Sequence, residues 1–201
     1  MNNLKNTLKN AHLDFDELFY ENCEKYSASL KQWNRTHNLT GACEDADIEK
    51  NIIDSVYPLT FISTPSRLVD IGTGAGYPGL ILAMAMRDTY CILVEPRAKR
   101  VAFLNYVKNL LKLDNVEIVQ DRIENIDLDK IDLITSRAVS NTKFLMELTQ
   151  HIHSKSTQYL FYKGSLLANE LEDLKIKHED YDVVNVDERN YLYIKKGSHD
   201  I

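Results

Sequence analysis

Cysteine is scarce and poorly placed for either of its usual structural uses. The 201-residue chain holds three, Cys23, Cys43 and Cys91. Their odd number and wide spacing suit neither a disulfide framework nor a zinc site. They read as reduced thiols in a cytoplasmic protein, with Cys91 in the core of a strand and no metal expected. Long apolar runs are also missing. The longest, Leu80 to Met86, is far too short to span a bilayer. The opening MNNLKNTLKNAHLDFDEL has no apolar stretch of the kind a signal peptide needs, so neither export nor membrane association is expected. Low-complexity segments and internal repeats are absent as well. Positive charge is in deficit, with 24 Lys and Arg against 30 Asp and Glu and a net charge of −6. That argues against a general nucleic-acid binder but not against a local basic face. The hydrophobic content, 44%, is enough for one sizeable core.

The first 60 residues contain no proline before Pro58 and only one glycine, Gly41. Apolar residues recur there at Leu4, Leu8, Ala11, Phe15, Leu18, Tyr26, Leu30 and Trp33, mostly at the three- and four-residue steps of a helix. The spacing predicts a short helix to about His12 and a longer one from Asp14 to about Arg35, with Asp14 as N-cap and Glu17 completing a capping box. THNLTGA reads as a loop, and DADIEKNIIDSVYPL as a third helix with Ile48, Ile52, Val56 and Leu59 on one face. This helical cap needs a partner surface for its apolar stripe.

From Arg67 the pattern alternates. RLVDI, YCILVEP, VEIVQ, IDLITSR and QYLFYKG read as strands separated by helical stretches, and YDVVNVD and NYLYIKK follow each other across a short link. Apolar strands alternating with helices indicate a parallel sheet covered on both faces. A closing antiparallel hairpin points to the methyltransferase variant of the doubly wound fold rather than the dehydrogenase one. The expected architecture is a Rossmann-like α/β core with an N-terminal helical cap. We read it as one domain, with residues 1–62 as helical extension and 63–201 as donor-binding core.

Glycine is sparse too, seven in the chain, yet three fall within VDIGTGAG at Gly72, Gly74 and Gly76. The spacing misses the dinucleotide fingerprint G-x-G-x-x-G, and no Lys-Ser or Lys-Thr pair follows as in a Walker loop. Asp70 stands just before the turn, where a carboxylate favours a cationic ligand over a phosphate. Glu95, at the end of the second strand, can accept bonds from both ribose hydroxyls of a nucleoside. Together they point to S-adenosylmethionine, which carries a ribose, an amino-acid end and a sulfonium, and no phosphate.

WNRTHNLTGA, DIGTGAGYPG, EPRAKRVAFL, ITSRAV and YKG together resemble the ribosomal RNA small-subunit methyltransferase G family, also called GidB, from about Gln32 to Leu174. The resemblance implies methylation of ring nitrogen 7 of a guanosine in small-subunit (16S) ribosomal RNA, with S-adenosylmethionine as donor. It implies donor contacts at Gly72 and Tyr77, adenine contacts at Ile123 and Glu124, and a donor-site arginine near the methionine end at Arg137. Two positions depart from the family pattern. Tyr77 stands where Phe or Leu is common, and Glu95 in VEP stands where many relatives have an Asp followed by Ser.

Guanine N7 carries an in-plane lone pair and no proton, so no general base is expected. A pyrimidine-carbon methyltransferase would need a thiolate nucleophile, and no Cys lies near the fourth or fifth strand ends. The fourth strand ends in TSRAV, unlike the Asn-Pro-Pro-aromatic pattern of amino methyltransferases. RNA contacts are expected from Asn38 and Thr40 in the loop, and from Arg100, Arg122 and Lys163. Pro78 reads as the first helical position, His37 as structural and Trp33 as core. The alternatives are a methyltransferase acting on a small molecule or protein, and a non-catalytic S-adenosylmethionine-binding module. Nothing requires more than a monomer, and the expected partner is small-subunit ribosomal RNA within a ribosomal particle.

Overall fold

The computed structural model describes residues 2–41, 44–174, 176–195 and 197; Cys43 lies outside them. Three helices come first, α1 (Asn2–Asn10), α2 (Glu17–His37) and α3 (Asp45–Val56). Helix α2 begins later than the sequence suggests. Its N-cap is Asp16, not Asp14, because Asp16 is the residue whose carboxylate reaches the Phe19 N–H, at 3.0 Å. The same carboxylate also pairs with Arg87. The helix runs on to His37 and stops at Asn38, which adopts the left-handed conformation with φ 48°. Helix α3 gives way to a 3₁₀ turn at Tyr57–Thr60, where Pro58 cannot continue the α-helical bonding.

Seven strands form one sheet. They are β1 (Arg67–Ile71), β2 (Tyr90–Val94), β3 (Val116–Val119), β4 (Leu133–Arg137), β5 (Gln158–Lys163), β6 (Tyr181–Val186) and β7 (Arg189–Ile194), in the order β3-β2-β1-β4-β5-β7-β6. The first five pair in parallel, and β7 runs antiparallel to both β5 and β6. This is the Rossmann-like arrangement with a terminal hairpin. Helices α4 (Gly79–Ala85), α5 (Ala98–Leu111), α6 (Thr142–Leu148) and α7 (Leu167–Asp173) follow the parallel strands. Strand β2 ends at Val94, one residue before Glu95, and Pro78 is the N-cap of α4 rather than its first helical residue.

The sheet separates two cores. One gathers Leu4, Leu8, Tyr26, Leu30, Ile48 and Ile52 of the helical extension with residues of α4, α5 and the sheet. The other holds residues such as Ile134, Phe161, Leu145 and Leu167. Trp33 is half-buried, with its ring 5.7 Å from Phe103 and 5.4 Å from Tyr106 on α5. Cys23 and Cys91 are fully buried; burial pushes both thiols up, Cys91 to about 12, which makes them packing residues rather than nucleophiles. Among the described residues, no helix is long and apolar enough to cross a membrane, and no group of His, Cys, Asp or Glu could hold a metal ion.

Candidate active site

The strand order reverses between β1 and β4, and ligands of open α/β sheets bind in the crevice outside the strand carboxyl ends at such a point. A cavity of about 620 Å³ opens there, walled by residues just beyond β1, β2 and β4. Its size suits a nucleoside-scale ligand. The glycine turn forms one wall, and Gly72, Gly74 and Gly76 all have positive φ, 67°, 63° and 106°. Its N–H groups are turned inward. Gly72 and Thr73 donate to the Val94 carbonyl at 2.8 and 3.3 Å, and Gly76 and Tyr77 to the Thr73 carbonyl at 2.9 and 3.0 Å. Gly74 donates to Glu95 Oε2 at 3.0 Å. With five of these donors committed, the turn lacks the row of free N–H groups that cradles a phosphate.

Asp70 is placed differently from expectation. It does not line the cavity. Its buried Oδ2 accepts the Gly79 N–H at 2.9 Å and so fixes the start of α4. Burial pushes the carboxyl up to about 7, against the pull of the nearby Thr73 hydroxyl, the Gly79 N–H and the Arg137 charge. Asp70 Oδ1 and Thr73 Oγ1 are buried and neither completes a hydrogen bond. Gly79 has no room for a side chain: a Cβ there would lie 2.6 Å from Asp70 Oδ2 and 2.5 Å from Leu93 Cδ2. Gly76 likewise supports the turn without reaching the cavity wall.

Glu95 does reach the wall. It is 2% exposed and accepts from Gly74 N–H, from Arg97 N–H at 2.9 Å and from Arg100 Nη1 at 3.4 Å. The two backbone bonds fix the carboxylate, while the long Arg100 contact leaves lone-pair directions for hydroxyl donors. Arg100, expected among the RNA contacts, thus lies inside the crevice beside Glu95.

Arg137, the last residue of β4, lines the cavity beside Gly72 and Tyr77. Its guanidinium sits 4.7 Å from the Tyr77 ring centroid, and Nη1 donates to Asn51 Oδ1 at 2.8 Å and Asp54 Oδ2 at 3.0 Å. The Tyr77 ring packs edge-on against Tyr26 of α2, and the Tyr26 hydroxyl donates to the Ala75 carbonyl at 2.8 Å. The helical extension therefore braces the glycine turn directly. Ile123, buried, and Glu124 line the far end from a 3₁₀ turn after β3.

The other expected RNA contacts divide. Thr40 and the exposed Arg122 line the cavity, while Asn38 caps α2 outside it. Lys163 does not line the cavity. It is 7% exposed, and its Nζ donates to the Ser140 carbonyl at 2.9 Å and to Glu170 Oε2 at 2.8 Å. Burial works against the charged form of Glu170, yet the bonds from Lys163 and Thr142 outweigh it and hold the carboxyl below its ordinary value. At the end of β5 a lysine fills a gap in the protein instead of projecting from the rim.

Comparison with known proteins shows the family. The family model described as rRNA small subunit methyltransferase G matches residues 19–196. The chain belongs to the rRNA small subunit methyltransferase G family. A family protein from Aliarcobacter butzleri is 52% identical over 96% of this chain and 98% of its own length, and one from Wolinella succinogenes is 45% identical over 98% and 100%. A methyltransferase from Geobacter sulfurreducens shares the fold, with a TM-score of 0.64 at 17% identity over 86% of this chain and 88% of its own. In this methyltransferase G family member, several cavity residues carry no recognisable sequence signal. Val139 packs against Gly72, where a Cβ would come within 2.6 Å of its Cγ2. Phe144 and Leu148 add apolar wall from α6. Asp54 and Arg189, which meet behind Arg137, sit in segments that read only as helix and strand.

Proposed function

We propose that this enzyme methylates N7 of a guanosine in small-subunit (16S) ribosomal RNA, using S-adenosylmethionine as donor. The observation that carries the reading is Glu95, a buried carboxylate on the wall of a nucleoside-sized cavity whose glycine turn has five of its N–H groups committed. That donor set fits a phosphate-free nucleoside. Glu95 takes the ribose hydroxyls, Ile123 and Glu124 the adenine, and Tyr77, Arg137 and the Gly72–Gly74 turn the amino-acid end. Asp70 and Gly76 act from behind by holding the turn and the start of α4 in place.

When bound, S-adenosylmethionine supplies an electrophilic methyl group on a sulfonium. The guanine N7 lone pair forms the new C–N bond as the S–C bond breaks, which leaves a neutral thioether and a cationic 7-methylguanine. No proton moves, so the chain's task is to hold the two reactants in line. Thr40, Arg97 and Arg122 border the cavity and are placed to meet RNA, with Arg100 set deeper against Glu95. The acceptor is taken to be RNA in a ribosomal particle, the protein a cytoplasmic monomer, and residues 1–201 one domain in which 1–62 brace the donor core.

The test uses methyl-labelled S-adenosylmethionine with small ribosomal subunits and with free ribosomal RNA, both from a strain lacking the modification. Label is expected in the RNA of at least one substrate. Label only in ribosomal protein, or none in either substrate, would contradict the reading. In parallel, Glu95→Ala is expected to weaken donor binding by calorimetry about tenfold or more, the effect of losing a charged hydrogen-bond acceptor.

A further inference from the structure

Asp54 lies in the last turn of α3 and does not line the donor cavity. It is nevertheless about nine-tenths buried and sits at the centre of a charged cluster. Its Oδ2 accepts from Arg137 Nη1 at 3.0 Å, and its Oδ1 accepts from Arg189 Nε at 2.8 Å and from the Tyr191 hydroxyl at 3.0 Å. Asn51, three residues earlier on α3, offers Arg137 Nη1 a second acceptor at 2.8 Å. Close by, the Tyr162 hydroxyl of β5 donates to the Ser55 carbonyl at 2.7 Å. The C-terminal turn of α3 is therefore fastened to β4, β5 and β7 together.

A long arginine side chain on a cavity wall has many rotamers, and fixing one of them has an entropic cost. Asp54 and Asn51 meet that cost within the protein itself, since both bond the same guanidinium nitrogen. Among the described residues the side-chain hydrogen bonds of Arg137 are made by Nη1 alone, so its remaining guanidinium N–H donors stay available to a ligand. Two guanidiniums share the Asp54 carboxylate, and of the two arginines only Arg137 lines the cavity.

The geometry assigns Asp54 as a positioning residue for donor binding: it holds Arg137 in the orientation that meets the carboxylate of the donor's amino-acid end. The assignment rests on the donor-site reading above and extends it to a residue of the helical extension. Through Asp54 the extension and the terminal hairpin act on the donor site, although neither supplies Asp54 or Arg189 to its wall.

Two ligands separate positioning from general support. S-adenosylhomocysteine carries the amino-acid end, and 5′-methylthioadenosine lacks it. In the full chain, Asp54→Asn is expected to weaken S-adenosylhomocysteine binding by calorimetry about tenfold and to leave 5′-methylthioadenosine affinity unchanged. Arg137→Ala is expected to lose a similar factor, with no further loss when the two changes are combined. Asn51→Ala, which leaves the ties to β7 intact, is expected to show the same ligand selectivity at a smaller factor, and it serves where Asp54→Asn does not fold. Equal weakening of both ligands by Asp54→Asn and by Asn51→Ala overturns the assignment, as does Arg137→Ala weakening S-adenosylhomocysteine while both α3 variants leave it unchanged. If Arg137→Ala itself leaves S-adenosylhomocysteine affinity intact, the donor-site role of Arg137 fails first and the assignment falls with it.

Discussion

Asp70 shows how a residue can be legible in position while its partner is not. Its place before the glycine turn is plain in RLVDIGTG, and an acid there suggests contact with a cationic ligand. The structure turns the carboxylate toward Gly79 instead, a partner nine residues on that no local pattern reveals. Because burial sets the folded pKa at about 7 against an ordinary value of 3.8, the folded chain holds a proton that the unfolded chain releases earlier. Stability from this group therefore falls as pH rises from about 4 through about 7. Asp70→Asn keeps an oxygen for Gly79 and cannot ionise. Urea denaturation is expected to find it more stable than wild type at about pH 8, by on the order of 4 kcal/mol, with the gain vanishing near about pH 4. A gain that does not vary with pH would show that the charge on Asp70 is not the cause. Gly79→Ala would drive a methyl group into Asp70 and Leu93, and is expected to lower stability by about 1–3 kcal/mol in the same assay.

Element type was readable because the apolar period changes from helical to strand-like at Arg67 and strands then alternate with helices. Element ends were less so. Asp14 and Asp16 both sit ahead of α2 and both are good caps by type; only the three-dimensional partner Arg87 and the Phe19 amide separate them. Exposed lysines and buried ones also look alike in a sequence. YKG ends β5 where a parallel sheet meets its crevice, so Lys163 reads as a rim cation, yet Glu170 of α7 and the Ser140 carbonyl enclose it. Lys163 thus ties the β4–α6 loop, which carries Val139, to the end of β5. Lys163→Ala is expected to reduce stability by about 2 kcal/mol, the scale of charged hydrogen bonds lost from a buried site. An unchanged denaturation midpoint would mean that Glu170 finds solvent without penalty.

At the scale of the whole molecule, the helical extension and the α/β core bury one continuous apolar cluster, with Tyr26 pinning the glycine turn and Asp54 fastening Arg137. Residues 63–201 alone would expose the surface that α1, α2 and α3 cover. That fragment is expected to show no cooperative thermal transition by circular dichroism and no donor binding; a folded, donor-binding fragment would make the extension a mere attachment. The glycine turn and Glu95, both legible as motifs, border the same cavity, while the bracing by distant helices came from contacts too far apart in the chain to read. The central claim is methyl transfer to guanine N7 without a proton acceptor. The most direct measurement is mass spectrometry of nucleosides from small-subunit ribosomal RNA treated with the enzyme and S-adenosylmethionine, using RNA from a strain lacking the modification. The account predicts 7-methylguanosine as the new nucleoside, and a guanosine methylated on its exocyclic amine or ribose, or a methylated pyrimidine, would contradict it.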